Sequence, residues 1–225
     1  MKRAIVAFCA ALMLGACEPA SETSKSSASS NVPIGSGFGF YVLALSWSPG
    51  YCRSQGDRGN RQQCGDGTSF EWVVHGLWPQ FERGFPEFCG ARGDERVPRA
   101  LGETLFDIMP SMGLIGHQWR KHGSCSGLTQ DDYFDVTRAA FDLISKPDID
   151  AGRLQSFSET HDSIERAFLD LNPAMTPQSV GVTCDRRFLR DVRICLSKDL
   201  SEFVSCPEVD RRHCQLPEMV VVPAN

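Results

Sequence analysis

The sequence predicts an α+β domain, and three observations lead to that prediction. Short runs with strand-like patterns are mixed with runs that have helical periodicity. Long loops rich in Gly, Asn and Cys separate these runs. Of the 225 residues, 41% are hydrophobic and 23% are charged, which is typical of one globular domain and excludes disordered and fibrous classes.

Two runs early in the chain and one late run have the features of strands. Residues 40–45 (FYVLAL) are apolar β-formers, typical of a buried central strand. Residues 71–74 (EWVV) indicate a second strand, which we expect Gly76 and Pro79 to end. Residues 190–196 alternate and indicate a strand in a half-exposed sheet, its apolar face formed by Val192, Ile194 and Leu196.

Helices are predicted in four places. Apolar residues recur at helical spacing over residues 99–109, and residues 116–123 and 164–171 indicate two more helices. The longest helix is expected after Thr129, because two acidic residues follow it where the positive end of the helix dipole would lie.

The first sixteen residues have the pattern of a secretory signal peptide. Lys2 and Arg3 precede an apolar run over residues 4–16, which is too short to span a membrane. The run ends in LGAC, which resembles a bacterial lipoprotein processing site that would leave a lipid on Cys17; ordinary signal cleavage nearby is the alternative. Residues 17–37 are then expected to be a flexible Ser-rich tether, and residues 38–225 the folded domain, held in the periplasm or cell envelope or else secreted.

Charge and cysteine content constrain the partners and the compartment. Without Lys2 and Arg3, the chain has 21 basic and 28 acidic residues, which gives a net charge of −7. This negative charge disfavours a tight, salt-resistant RNA-binding module. An even number of cysteines in an exported chain indicates four disulfides, formed here among Cys52, Cys64, Cys89, Cys125, Cys184, Cys195, Cys206 and Cys214. Eight cysteines allow 105 pairings, and the residues alone do not choose among them. The CxxC pairs of a zinc ribbon do not occur in the sequence.

Three of the five histidines fall in two short segments that concentrate the candidate chemistry. The first segment is residues 75–79 (HGLWP), at the end of the second strand, and the second is residues 117–125 (HQWRKHGSC). On a helix at 100° per residue, a face of roughly 140° would hold two imidazoles, an amide and an ammonium, from His117, His122, Gln118 and Lys121. Such a cluster favours an anion in front of it, and phosphate is the obvious candidate.

A metal site is the main rival interpretation of this cluster. Two histidines five residues apart diverge by about 140° on a helix, unlike the i,i+4 pair of a zinc-binding helix. Lys121 between them would also repel a dication. The sequence therefore predicts no metal and no cofactor. His161 and His213 lack such neighbours and are assigned no role.

These segments resemble the two active-site motifs of the ribonuclease T2 family of secreted acid ribonucleases, and residues 40–52 (FYVLALSWSPGYC) are similar to its opening strand. The resemblance covers residues 38–214. It implies a central, mainly antiparallel sheet flanked by helices, and an endoribonuclease that cleaves single-stranded RNA. No protein partner is predicted. We expect a monomer that is attached to the membrane only through a lipid on Cys17.

The resemblance also implies a role for each site residue. His122 would be the general base that takes the 2′-hydroxyl proton, and His75 the acid that protonates the 5′-oxygen. His117 would hold the phosphate, and Lys121 would stabilise the charged transition state. Because the nucleophile comes from RNA, the products would be a 2′,3′-cyclic phosphate and then 3′-phosphate ends, and DNA would be inert. The family pattern further implies the disulfides Cys89–Cys125 and Cys184–Cys214 enclosing Cys195–Cys206, which leaves Cys52–Cys64.

Two positions depart from the family pattern. Gln118 stands where the second motif usually carries Glu; an amide can still bind a phosphate, but it cannot offset charge on His122. Gln80 stands where an Asp often reads the base, so base preference is open. Trp78 either stacks on a base or packs beneath the site. Gln118 also supports a rival function, a catalytically silent exported RNA-binding or toxin-like module; a purely structural lipoprotein is the third possibility.

Overall fold

The computed structural model describes Met1 and residues 32–90 and 95–224. The predicted signal peptide, Met1 apart, lies outside the described residues, as do the predicted lipid site at Cys17 and most of the predicted tether. Residues 32–37, assigned above to that tether, contact the folded body: the backbone N–H of Ser36 donates to the carbonyl oxygen of Ser126 at 2.8 Å. Among the described helices, none is both long and apolar enough to cross a membrane.

A six-stranded sheet lies at the centre of the described chain. Its strands are β1 (Phe40–Trp47), β2 (Trp72–Gln80), β3 (Phe157–Glu159), β4 (Val180–Asp185), β5 (Phe188–Leu196) and β6 (Met219–Val221). They are ordered β2-β1-β5-β6-β3, with β4 also paired to β5. Every pairing is antiparallel except that of β5 with β6. The predicted α+β fold with a mainly antiparallel sheet is confirmed.

Seven α-helices occur in the described residues. They are α1 (Ser48–Gln55), α2 (Arg61–Cys64), α3 (Arg99–Glu103), α4 (Met112–Lys121), α5 (Gln130–Leu143), α6 (His161–Leu171) and α7 (Pro207–Asp210). The helix predicted after Thr129 is confirmed as α5, which begins there because the Thr129 hydroxyl accepts the Asp132 N–H at 3.2 Å. Helix α6 begins before the predicted residue 164, since Thr160 accepts the Ser163 N–H at 3.1 Å and caps the helix earlier.

Helices α3 and α4 differ from their predicted bounds. The helix predicted over residues 99–109 ends at Glu103, because the Thr104 hydroxyl donates to the Leu101 carbonyl at 2.7 Å and competes with further helical bonds. Helix α4 begins well before the predicted residue 116, since the Ser111 hydroxyl accepts the Leu114 N–H at 3.2 Å. It ends at Lys121, and His122 leaves the helix with φ −120° and ψ −48°.

The second strand is longer than predicted, and the strand near residue 190 is more buried. Strand β2 continues through Gly76 and Pro79 because it lies at the edge of the sheet, where a residue without a backbone N–H is tolerated. Strand β5 is not half-exposed: the face opposite its apolar stripe is largely covered, and Asp191 on that face is only 1% exposed.

A β-bulge interrupts the pairing of β1 with β2. Ala44 is the partner of Gly76 and Leu45 is the partner of Val74, so His75 is an extra residue with no partner on β1. Such insertions bend a strand locally and re-aim a side chain. The bulge therefore sets His75 apart from the regular alternation of the strand.

The two faces of the sheet carry different clusters of buried side chains. The larger core joins one face to helices α4, α5 and α6 and includes Leu43, Leu77, Ile115, Phe134, Phe168 and Ile194. The smaller cluster is formed by Val42, Cys195, Cys206 and Val209 with Trp78 packed against it. Leu77 and Trp78 thus lie on opposite faces of β2.

Four disulfides join the described cysteines, and they are the four pairs that the family pattern implies. They are Cys52–Cys64, Cys89–Cys125, Cys184–Cys214 and Cys195–Cys206. Cys89–Cys125 connects the loop after β2 to the residues that follow α4, so it links the two segments that carry the candidate chemistry.

Candidate active site

His75 lies beside a buried carboxylate on β5. Its Nδ1 is 3.3 Å from Oδ2 of Asp191, and the two side chains are 29% and 1% exposed. Burial acts to raise the pKa of Asp191, but His75 and two neighbouring arginines outweigh it, and that pKa lies below its ordinary value. Asp191 therefore stays ionised and favours a proton on Nδ1 of His75. A cavity of about 270 Å³ opens between His75 and residues that include Ser46, Tyr51, Ser111 and Arg190.

Trp78 lies between the two motifs. Its ring centroid is 5.3 Å from that of His75, edge to face, and 5.3 Å from that of His122, with the planes stacked at 29°. The Arg193 guanidinium lies over the same indole at 5.4 Å from its centroid. These contacts are those of a side chain packed within the site, and stacking on a base stays a prediction for Trp78.

Gln118 is buried and joins the two motifs to each other. Gln118 is only 1% exposed, and its Oε1 accepts the Trp78 indole N–H at 2.9 Å. Gly76 makes this contact possible, because a Cβ at that position would collide with both Gln118 Oε1 and Trp78 Nε1. The backbone carbonyl of Gln118 also accepts the N–H of His122 at 2.9 Å. The sequence predicts that Gln118 shares an open helix face with His117. The structure differs, because the Gln118 side chain is buried against Trp78.

His122 is held in a buried position just beyond α4. It is 5% exposed, and within the described part of the chain its Nδ1 is buried without a hydrogen-bond partner. Burial is the main cause that lowers the pKa of His122 to about 3, and the charges of Lys121, His75 and His117 act in the same direction. The ring is therefore neutral above about pH 3, which is the form that a general base needs.

Polar side chains of α4 act on this buried imidazole through their charges. His117 is exposed, and partial desolvation and the charges of Lys121, Arg120 and His75 lower its pKa. Nζ of Lys121 lies 3.5 Å from Oε2 of Glu87 in the loop after β2. The next residue of that loop, Phe88, donates its N–H to the Lys121 carbonyl at 2.9 Å. The helix end and the loop are thereby held together beside the site.

Sequence reasoning missed three charged residues of the site: Asp191, Arg193 and Glu87. The first two lie on β5 between apolar residues, and alternation alone assigned them to an exposed face. Two opposite charges inside an apolar strand were the available signal that this face of the strand is occupied by buried charged groups. Nothing in the sequence near Glu87 marks it. Among the described residues, no group of three or more His, Cys, Asp or Glu is arranged to hold a metal ion.

The geometry brings together two imidazoles in different surroundings. The carboxylate of Asp191 lies beside Nδ1 of His75, and burial favours the neutral ring of His122. A pair of this kind can donate one proton and accept another in the same reaction. Lys121 adds positive charge near the neutral ring, and His117 adds ring nitrogens that can bind a phosphate, as the stabilisation of a phosphate requires.

Comparison with known proteins places the chain in a family. The model of the Ribonuclease T2 family matches residues 38–206. A ribonuclease of Aeromonas hydrophila is 35% identical over 203 residues, which cover 82% of this chain and 85% of that protein. The chain belongs to the ribonuclease T2 family and is an endoribonuclease.

Solved structures support the fold. An RNase-related protein from Calystegia sepium matches with a TM-score of 0.63 at 22% identity, over 84% of this chain and all of that one. Ribonuclease MC1 from bitter gourd seeds matches with a TM-score of 0.61 at 21% identity, over 82% of this chain and all of that one. At such identities the likeness concerns the fold alone.

Proposed function

We propose that this endoribonuclease cleaves single-stranded RNA without a metal ion, by using the substrate's own 2′-hydroxyl as nucleophile. The observation that carries the proposal is the placement of His75 and His122 against the same indole: each ring centroid lies 5.3 Å from that of Trp78, with a carboxylate beside His75 and with His122 buried. The substrate supplies the nucleophile, so the protein needs only a base, an acid and positive charge near the phosphate.

The proposed first step transfers two protons. The neutral ring of His122 accepts the proton of the 2′-hydroxyl, and the 2′-oxygen attacks phosphorus. The bond from phosphorus to the 5′-oxygen breaks as the protonated ring of His75 donates its proton to that oxygen. Lys121 and His117 stabilise the negative charge on the phosphoryl oxygens. The products are a 2′,3′-cyclic phosphate and a free 5′-hydroxyl.

The second step reverses these roles with water. His75, now neutral, accepts a proton from water, and the resulting oxygen nucleophile attacks the cyclic phosphate. His122, now protonated, returns its proton to the 2′-oxygen as that bond breaks. The RNA end is then a 3′-phosphate, and both imidazoles recover their starting states.

Digestion of total RNA in excess EDTA tests this proposal. We expect cleavage to continue, with 2′,3′-cyclic phosphate ends appearing first and 3′-phosphate ends later. An RNA with 2′-deoxyribose at the scissile position is the matched control and should stay intact. Loss of activity in EDTA, restored by Zn²⁺ or Mg²⁺, would contradict the mechanism.

One observation supports a different function, an exported RNA-binding module without turnover. Gln118 replaces the acidic residue usual in the second motif, and its side chain is committed to the Trp78 indole. Under that alternative, RNA stays intact in the EDTA assay while it still binds to the protein.

We further propose that the protein is exported and remains attached to the cell envelope through a lipid on Cys17, as a monomer. Four disulfides among the described residues support export, because such bonds persist in oxidising compartments. Mass spectrometry of the mature N-terminus distinguishes a lipidated Cys17 from ordinary signal cleavage. Sedimentation of the detergent-solubilised protein measures its oligomeric state.

A further inference from the structure

Asp191 is a buried carboxylate with one oxygen unpaired. Its side chain is 1% exposed, its Oδ1 is buried without a hydrogen-bond partner, and its Oδ2 faces His75 Nδ1 at 3.3 Å. Nε of Arg190 also lies 3.6 Å from Oδ2. Withdrawal of a carboxylate from water is costly, and here His75 and two neighbouring arginines offset that cost. Of these groups, His75 is the one that the proposed mechanism uses.

His75 needs an external contact to hold its ring. As the inserted residue of the bulge, it has no partner on β1 that would fix its side chain. Strand β1 lies between β2 and β5, and its Ser46 is paired with Asp191. The carboxylate therefore reaches His75 across the middle strand, from a rigid position inside the sheet.

We propose that Asp191 is a positioning residue that sets the tautomer and orientation of the His75 ring. A proton held on Nδ1 by the carboxylate leaves Nε2, on the other side of the ring, as the atom that exchanges protons with the substrate. The carboxylate also stabilises the imidazolium that the acid must be before it donates. This inference rests on the proposed role of His75 as general acid.

The other ionisable groups near this ring come from three elements. His117 on α4 and His122 beyond it are both close enough for their pKa values to respond to His75. From β5, Arg190 contacts the same carboxylate oxygen as His75. None of the three is an anion, and the charge of Arg190 opposes the imidazolium, so Asp191 is the group that favours it.

Asp191→Asn tests the inference, since it keeps the shape and removes the charge. We expect kcat to fall at least ~10-fold with little change in KM, a smaller loss than the ~10²- to 10⁴-fold associated with a general acid. The alkaline limb of the pH–rate profile should move to lower pH, because the imidazolium loses its stabilising charge. Asp185→Asn is the matched control: Asp185 also lies near Arg190, at 3.8 Å, and its removal should leave the profile unchanged.

Two further measurements separate positioning from structural damage and from failure of the proposed function. In a His75→Ala background, Asp191→Asn should cause no further loss, because the two residues act as a unit. Nitrogen NMR of the His75 ring should show a proton fixed on Nδ1 in the native protein and a mixture of tautomers in Asp191→Asn, without any need for turnover. Additive losses in the double variant, or an unchanged tautomer, would overturn the inference even if RNA is cleaved as proposed.

Discussion

The indole N–H of Trp78 donates a 2.9 Å hydrogen bond to the side-chain oxygen of Gln118, and this bond joins the first motif to the second. Trp78 also stacks on His122, and the backbone carbonyl of Gln118 accepts the N–H of His122, so Gln118 contacts both the indole and the residue that the indole covers. Gln118, which departs from the family pattern, therefore links the two motifs through hydrogen bonds.

Replacement of Gln118 by Glu should make the base protonate more easily. Burial lowers the pKa of His122 to about 3, and a carboxylate within reach would favour the imidazolium and raise that pKa, typically by one or more units. The acidic limb of the rate profile should therefore move to higher pH by at least about one unit. Gln155→Glu, at an exposed position, adds the same charge as a control. If Gln118→Glu leaves the limb in place, the side chain at position 118 does not act on His122.

Removal of either imidazole of the proposed pair should abolish most of the activity. We expect His75→Ala and His122→Ala each to lower kcat by at least ~10²-fold, the usual contribution of one general acid or base. His213→Ala is the matched control, because His213 stacks on His161 at 4.6 Å and touches neither motif. Steady-state cleavage of a fluorogenic RNA measures all three variants, and near-normal turnover by the His75 or His122 variant would show a misassigned site.

The free energy of unfolding should decrease as the pH falls from about 6.5 to about 3, because of His122. The folded chain holds this ring neutral down to about pH 3, whereas in the unfolded chain it binds a proton near pH ~6.5. The unfolded state therefore binds more protons in between, and stability is lost as the pH falls through that range. Asp191, whose pKa is lowered from 3.8, adds a further loss only below about pH 4.

Thermal melting between pH 7 and pH 4 measures this effect. His122→Gln should show a shallower decline of Tm than the native protein, and His213→Gln should follow the native curve. Parallel curves for native protein and His122→Gln would mean that the buried ring does not couple folding to pH.

Gly76→Ala should disrupt the hydrogen bond between Trp78 and Gln118 that links the two motifs. A methyl group at this position collides with Oε1 of Gln118 and Nε1 of Trp78, so the hydrogen bond must open or the strand must shift. We expect a loss of about 1–3 kcal/mol in the free energy of unfolding, the usual cost of overpacking, together with reduced kcat. Gly181→Ala on β4 is the control, since its Cβ would make only ordinary contacts, the nearest at 3.5 Å. Full activity in Gly76→Ala would show that catalysis does not need the Trp78–Gln118 hydrogen bond.

The sequence predicts the fold class, strand β1, helix α5 and the two motifs, because these depend on local periodicity and on residue types that are rare together. It mislocates the end of β2, since whether Pro79 breaks a strand depends on whether that strand lies at an edge, which is a property of the whole sheet. The helical wheel fails at His122, because one residue that leaves helical geometry redirects its side chain. The role of Asp191 requires three neighbouring strands and has no local signature.

The bulge at His75 has a consequence that reaches beyond that residue. Side chains alternate between the two sides of a strand, so one inserted residue reverses the phase for every residue that follows. Before the insertion Trp72 and Val74 belong to the larger core, and after it Leu77 does, which sends Trp78 to the opposite side. Without the bulge, the same nine residues of β2 would alternate regularly, which would turn Leu77 toward the site and the Trp78 indole toward the core. Deletion of His75 would remove the bulge and leave both of these side chains on their present sides. The bulge thus lets β2 carry the histidine without exchanging the sides of the residues that follow it.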